Sequence, residues 1–356
     1  MFRADSNISR EEGQFIGFAP VLRGVTITAA MPVRDIEREL ETLKALRTAA
    51  DDTRTRALQK ALRDKVNVIV AQAATLIAQL QEAPLIPDLC TAFERLLVNP
   101  VQTDPKCWGK EAIARALKDL GHADSGIFLR GAQHTQLEPV WGGEVDTAAN
   151  VRSTCALALL QCTDLIRDEK LWSIMRLLTE SSPSTRKDGA LGMESLDGPE
   201  AALMLRIKAR MGDEDPAVTG QMLESLLRVE GEAAVPFVKE FFRSPNQEVR
   251  EETALALGAS RIPVAVSALE QMLAERQAPV PSEIVIRGLG ISRQENAART
   301  LIEVVRTRGI REALAALEAL TSYRDSSEIR NDLSAAVAAR PEHEIRREFE
   351  RLFQKS

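Results

Sequence analysis

A motif of about 33 residues repeats through the middle of the chain. In each copy a branched residue, often followed by arginine, precedes small and apolar residues at helical spacing. Copies begin at Val151, Thr185, Val218 and Val249, with two weaker ones at Ile284 and Ile310, in steps of 34, 33, 31, 35 and 26 residues. Between them lie further helical stripes at 169–180, 198–211, 233–243, 264–276 and 295–307. Two helices per period predict an all-α solenoid of stacked antiparallel helix pairs.

The composition supports helices and narrows the classes of partner. Leu and Ala dominate, whereas aromatic residues make up 4% of the chain, which favours closely packed helices over a β-sandwich. The net charge is −6, and residues 101–240 hold 22 acidic against 16 basic groups. Nucleic-acid binding normally requires a basic face, so this charge argues against a nucleic-acid partner. No run is long enough for a transmembrane helix, and the four cysteines form no C-x-x-C pair, as expected of a cytoplasmic chain.

The positions of proline and glycine predict where the domains begin and end. Residues 1–30 contain Gly13, Gly17 and Pro20 and are expected to form a poorly ordered arm. Residues 31–100 are expected to form a helical region that packs on the array, with a long helix capped by Asp51 or Asp52 and running to residue 83. The array itself is predicted over 101–340, and a capping helix over 341–356.

Four copies of a cap residue followed by proline mark predicted helix starts. Proline suits the first helical position because its missing N–H would have no partner there. The pairs are Asp104-Pro105, Ser182-Pro183, Asp215-Pro216 and Ser244-Pro245, the last within a possible capping box.

The clearest copy, Gln247-Glu248-Val249-Arg250 followed by Ala254 and Leu257, resembles HEAT repeats, in particular the short PBS-lyase HEAT-like type. The resemblance covers residues 101–320 and is weak over 32–100. It implies a right-handed α-α superhelix and says little about activity. It also implies that the recurring arginines form an internal ladder with acidic residues between repeats. The ladder residues are Arg152, Arg186, Arg250 and Arg311, with Asp146 and Asp215 as acceptors. A binding stripe made by the same arginines is the alternative.

An insertion interrupts the array at about 121–146. Loops inserted into solenoids often lie on the binding face, and Trp and Arg are enriched at the centres of interfaces. The candidate partner-binding residues in and beside it are Trp108, Lys110, Arg130, His134, Glu138 and Trp141. The alternative is that Trp108 and Trp141 only seal a loop against the helices.

The sequence contains no convergent catalytic set, and no catalytic, cofactor or metal residue is predicted. Ser184-Thr185-Arg186-Lys187 matches S-x-x-K without its companion motifs. His122, His134, Cys107 and Glu138 lack the tight paired spacing of zinc sites. HEAT-like deoxyhypusine hydroxylases hold iron with several His-Glu pairs, whereas His343-Glu344 is the one such pair here.

These observations predict a non-catalytic scaffold that binds a protein or peptide through its concave face and the insertion. The alternatives are a HEAT-like enzyme, of the bilin-lyase or DNA-glycosylase type, and a structural assembly subunit. The sequence leaves the oligomeric state open.

Overall fold

The computed structural model describes residues 35–275 and 279–353, and the predicted N-terminal arm lies outside these ranges. The α-helices of the N-terminal half are α1 Ile36–Ala45, α2 Asp51–Leu62, α3 Asn67–Gln79, α4 Ile86–Leu97, α5 Pro100–Thr103, α6 Trp108–Asp119, α7 Ser125–Ala132, α8 Ala149–Leu159 and α9 Arg167–Leu177. Those of the C-terminal half are α10 Pro183–Leu196, α11 Gly198–Met211, α12 Pro216–Glu230, α13 Val235–Lys239, α14 Gln247–Ser260, α15 Pro263–Ala274, α16 Ser282–Ser292, α17 Glu295–Thr307, α18 Ile310–Leu320, α19 Ser327–Ala338 and α20 His343–Phe353. Two strands, β1 Leu137–Val140 and β2 Gly143–Asp146, form an antiparallel hairpin between α7 and α8.

The helices form two layers. One layer, the second-helix layer, contains α1, α3, α6, α8, α10, α12, α14, α16, α18 and α20, each packed against the next. The other, the first-helix layer, contains α2, α4, α7, α9, α11, α13, α15, α17 and α19. Each first helix packs against a second helix, as in α11 against α12 and α17 against α18, so the predicted all-α solenoid of helix pairs is confirmed. The stacking includes α3, which lies N-terminal to the array boundary predicted at residue 101.

Small residues let the second helices approach each other closely. A Cβ atom placed on Gly258 of α14 would collide with the carbonyl oxygen of Gly288 in α16. One on Gly290 would lie 2.7 Å from the Cβ of Ala319, at the α16–α18 contact. These backbones therefore touch where the motif carries glycine or alanine, and a larger side chain would separate them.

The buried core divides at α8. One apolar cluster extends from Leu43 to Cys162 and the other from Ala156 to Phe349, and the half-buried Ala132 packs against both. The insertion lies at this junction, so its surroundings belong to two consecutive parts of the core.

Two predicted helix boundaries are wrong. The long helix expected up to residue 83 breaks after Leu62, because the Asp64 carboxylate accepts the backbone N–H of Val66 at 2.8 Å in a local turn. The first half begins at Asp51 after Ala50, which occupies the N-cap position that Asp51 or Asp52 was expected to fill.

Two of the four cap–proline pairs do not start an α-helix, although Asp104-Pro105 begins a short 3-10 helix over Pro105–Cys107. Asn246, rather than Ser244, caps α14 by accepting the N–H of Glu248 at 2.9 Å. After Asp104-Pro105 the backbone enters the left-handed region, and α6 begins only at Trp108. Ser182 and Asp215 do occupy the N-cap positions of α10 and α12.

The predicted insertion is part helix and part hairpin. Residues 125–132 form α7, which packs along α8 as an ordinary first helix. The departure from the repeat is therefore confined to about 133–148, where the hairpin lies.

Candidate partner-binding site

The hairpin ends in a two-residue turn that presents a tryptophan to solvent. Val140 pairs with Gly143, and Trp141 and Gly142 form the turn. Gly142 has φ of 92°, a conformation that glycine adopts at little cost. The relative exposure of Trp141 is 103%, so the side chain touches almost nothing else in the described chain. An indole left this exposed is a strong candidate for contact with a partner.

The hairpin that carries Trp141 has further exposed apolar side chains. Leu137, Val140 and Val145 are each about half exposed on the same short hairpin. Sequence reasoning missed these three, although alternation of apolar and polar residues around Trp-Gly-Gly is the usual signal of a tight hairpin.

The base of the hairpin is held by Glu138, which points into the protein. One carboxylate oxygen accepts the backbone N–H of Lys106 at 2.6 Å, the amide of Gln136 at 2.7 Å and the hydroxyl of Thr147 at 2.7 Å. Burial raises the pKa of Glu138, but these hydrogen bonds outweigh it and lower the pKa below its usual range. Glu138 was predicted to bind a partner, and this is wrong because its carboxylate is buried and engaged.

Lys110 is likewise a structural residue and not a partner-binding one. Its ammonium lies 3.0 Å from the Asp104 carboxylate, and both side chains are fully buried. Asp104 also accepts the backbone N–H groups of Gly109 and Lys110, at 2.8 and 2.9 Å, and the amide of Asn67 at 2.9 Å. The carboxylate is thus saturated with donors, which is how a buried charge is accommodated.

The turn between Asp104 and α6 contains two consecutive residues with unusual backbone conformation. Lys106 and Cys107 have φ of 60° and 57°, values uncommon for residues other than glycine. Two hydrogen bonds from the hairpin region hold this turn. The Glu138 carboxylate accepts the backbone N–H of Lys106, and the Gln136 side-chain amide donates to the carbonyl of Asp104 at 2.9 Å. The hairpin and the start of α6 are therefore a single hydrogen-bonded unit.

Arg152 connects this unit to the following repeat. Its guanidinium contacts the Asp146 carboxylate at 2.7 Å, binds both oxygens of Glu180 at 2.6 and 2.7 Å, and donates to the carbonyl of His134 at 2.9 Å. The arginine thus spans the end of β2 and the loop before α10.

The other ladder residues differ in their contacts. Arg186 binds both carboxylate oxygens of Asp213 at 2.6 and 2.8 Å, and Arg250 donates to the carbonyls of Ser244 and Pro279, both at 2.7 Å. Asp215 was expected to accept from the ladder, and this is wrong: it caps α12 by accepting the N–H of Ala217. Arg311 is 88% exposed and pairs with Glu283 at the surface.

A groove of about 720 Å³ runs between α3 and α6 in the second-helix layer. Its floor includes Ala71, Ala78 and Ala112, and the half-exposed Trp108 lines it. Trp108 lies beneath the ammonium of Lys106, 5.4 Å from the ring centre, and so next to the turn that Glu138 holds. The groove therefore opens beside the base of the hairpin.

Two further candidates lie at the edge of this region. Arg130 is half exposed on α7 and pairs with Glu94 of α4. His134 is half-buried, its ring nitrogen lies 3.2 Å from Gln136, and burial lowers its pKa. Trp172, 64% exposed on α9, was not predicted; it lies in the first-helix layer, away from the hairpin in the chain.

The described residues contain no group of three or more His, Cys, Asp or Glu that could hold a metal ion. Of the histidines, His122 stacks edge-on against Phe128 and lies 3.9 Å from the Cys90 sulfur, while His134 lies against Gln136. Nor is any helix in the described ranges long and apolar enough to cross a membrane.

Comparisons with known proteins agree with the repeat. The family model for HEAT repeats matches residues 204–290. Deoxyhypusine hydroxylase-B of Oryza sativa subsp. japonica is 27% identical over 69% of this chain and 72% of its own length. Deoxyhypusine hydroxylase of Arabidopsis thaliana is 25% identical over 67% of this chain and 69% of its own length.

Two solved structures are also similar. The phycocyanin lyase complex from Nostoc sp. PCC7120 has a TM-score of 0.35 and 17% identity, covering 68% of this chain and 94% of that chain. Human deoxyhypusine hydroxylase in complex with glycerol has a TM-score of 0.28 and 20% identity, covering 73% of this chain and 99% of that chain. The helix pairs and their motif are thus similar to HEAT repeats, and the family model places such repeats at residues 204–290.

Proposed function

We propose that this chain is a scaffold that binds a protein partner through the hairpin and the adjoining groove between α3 and α6. The observation that carries the proposal is the fully exposed Trp141 on a hairpin whose base is locked by buried hydrogen bonds. A rigid aromatic side chain loses little conformational entropy on binding, which makes it an efficient anchor.

The groove extends the proposed surface. Trp108 lines it, and its alanine floor offers space for apolar side chains of a partner. The surrounding charges are Glu111, Arg115 and Asp119, of which Glu111 and Arg115 pair at 2.8 Å. A mostly apolar contact with a polar rim is typical of protein–protein interfaces.

Affinity capture tests the proposal. The full chain is immobilised and exposed to lysate of its source organism, and the captured proteins are compared among wild type, Trp141→Ala and Trp172→Ala. The second variant is a matched control, because Trp172 is also an exposed tryptophan but lies on α9. The proposal expects one partner to be lost with Trp141→Ala and retained with Trp172→Ala. Equal capture by all three proteins would refute it.

An iron-dependent hydroxylase is the second candidate, favoured by the likeness to the two plant deoxyhypusine hydroxylases. The residues do not fit that metal site. The chain holds three histidines, and the described ranges bring none of them into a group able to hold a metal. Metal analysis of the purified protein tests this alternative: iron bound in stoichiometric amount would favour the hydroxylase over the scaffold.

A further inference from the structure

The two edges of the hairpin differ in their capacity to accept another strand. Thr147 donates its N–H to the carbonyl of Gln136 at 2.9 Å, which makes these two a hydrogen-bonded pair at the base. Hydrogen-bonded and non-hydrogen-bonded pairs alternate along an antiparallel ladder. Given the register, Leu137 with Asp146 and Pro139 with Glu144 are non-hydrogen-bonded pairs. Their backbone N–H and C=O groups therefore point away from the hairpin.

On β1 this outward edge is blocked. Pro139 occupies an outward position and has no N–H to donate, which is a common way to protect an edge strand. On β2 the outward residues are Glu144 and Asp146, which both have an N–H and a C=O. Because the sheet formed by the described residues has two strands, this edge of β2 pairs with no third strand there.

The charges on β2 select its partner. If two copies of β2 paired antiparallel, outward residues would face each other, so that Glu144 would lie opposite Glu144 or Asp146. Like charges directly opposite each other destabilise a strand pair, which disfavours self-association through this edge. A lysine or arginine opposite Glu144 would instead form a favourable cross-strand pair.

The neighbouring position calls for an apolar residue. Val145 projects to the opposite face from Glu144, shares that face with Val140, and both valines are about half exposed. A β-branched or aromatic residue on the added strand would pack beside Val145, while Val140 lies one strand further away on β1.

We propose that the partner binds this chain by adding an extended segment, with alternating basic and apolar residues, antiparallel to the free edge of β2. The proposal rests on the proposed function, since it describes the partner of the same hairpin. Main-chain hydrogen bonds at Glu144 provide the attachment, and the side chains of Glu144 and Val145 provide the selectivity.

The test uses a fluorescein-labelled octapeptide of alternating lysine and valine with the full chain, followed by fluorescence anisotropy. In two further peptides the backbone nitrogen is methylated, at every lysine in one peptide and at every valine in the other. All three have the same charge, but a lysine opposite Glu144 directs its N–H toward β2, whereas the valines direct theirs away. Saturable binding is expected for the unmodified and valine-methylated peptides, with a loss of roughly tenfold or more for the lysine-methylated one. No saturable binding, or equal binding by the two methylated peptides, would overturn the proposal.

Variants of the protein give an independent readout. Glu144→Pro removes both the charge and the outward N–H, while Glu144→Gln removes only the charge and is the matched control. Glu144→Pro should bind the peptide roughly tenfold or more weakly than Glu144→Gln, with circular dichroism confirming that both are folded. Equal binding by the two would overturn the strand-addition mechanism. If capture of the natural partner requires Trp141 but is the same with both Glu144 variants, the proposed function stands and this inference fails.

Discussion

The ammonium of Lys110 lies 3.0 Å from the carboxylate of Asp104, and neither side chain is exposed to solvent. Asp104 begins the turn that precedes α6, and this turn is hydrogen-bonded to the hairpin through Lys106 and Glu138. The Asp104 carboxylate also accepts backbone N–H groups of α6. The position of the proposed binding hairpin therefore depends on an ion pair that is entirely buried.

Replacing Lys110 with methionine should destabilise the protein by about 3–5 kcal/mol, because the buried Asp104 carboxylate would lose its matching cation. Urea unfolding at neutral pH measures the effect. Arg299→Ala is the control, since Arg299 forms a mostly exposed pair with Glu295 and should change stability by less than about 1 kcal/mol. Similar losses in the two variants would contradict a structural role for the buried pair.

The two ends of the arginine ladder should behave differently. Arg152→Ala should cost about 3 kcal/mol, because it leaves Asp146 and Glu180 without their shared cation in a largely buried site. Arg311→Ala should cost less than about 1 kcal/mol, because Arg311 is 88% exposed. Thermal unfolding of both variants provides the measurement. Equal midpoints would show that the contribution of each ladder arginine to stability does not depend on its burial.

The ion pair at Asp213 should make stability depend on acidic pH. Burial raises the pKa of this carboxyl, but hydrogen bonds from Arg186 and Lys208 outweigh it and lower the pKa to about 2. Because the folded-state pKa lies below the unfolded value, the contribution is complete above about pH 4 and is lost as the pH falls toward 2. Asp213→Asn should therefore cost about 2 kcal/mol at pH 7 and progressively less below pH 4. A cost that stays constant down to pH 2.5 in urea titrations would contradict this assignment.

Thiol reactivity should separate the four cysteines. Burial raises the pKa of Cys107 to about 11 and that of Cys155 to about 12, and both thiols are buried. Cys90 is half-buried and is the most accessible of the four. A thiol reagent at pH 8 should label at most one cysteine in the folded protein and all four in denaturant. Rapid labelling of Cys155 without denaturant would contradict the packing of α8 against α7.

The sequence was sufficient to predict the repeat but not the role of its buried charges. The spacing of Val249-Arg250 and its counterparts predicts the helix pairs, because apolar periodicity directly reflects which face of a helix is buried. From the sequence, Lys110 and Glu138 are predicted to bind a partner, because they lie beside and within an insertion. Whether such a side chain is buried depends on contacts with residues far away in the sequence, which the local sequence does not specify. Glu138 and Lys106, for example, are 32 residues apart.

The ladder shows the same limit at finer scale. Arg186 pairs with Asp213, and Asp215, two residues later, caps a helix instead. Both acids lie in one loop, and only the path of the backbone decides which carboxylate faces the arginine. The exposure of Trp141 can in principle be predicted from the sequence, because a Trp-Gly-Gly turn between alternating apolar and polar residues places tryptophan at a hairpin tip.

The most direct test of the account is the affinity of the captured partner for wild type and for Trp141→Ala, measured by calorimetry with Trp172→Ala as control. Trp141 touches little of the chain over the described residues, so its removal should leave unfolding stability within about 0.5 kcal/mol of wild type. We expect Trp141→Ala to weaken binding roughly 30-fold or more, as for a central aromatic anchor, and Trp172→Ala to leave it unchanged. An unchanged dissociation constant for Trp141→Ala would contradict the claim that the hairpin is the binding element.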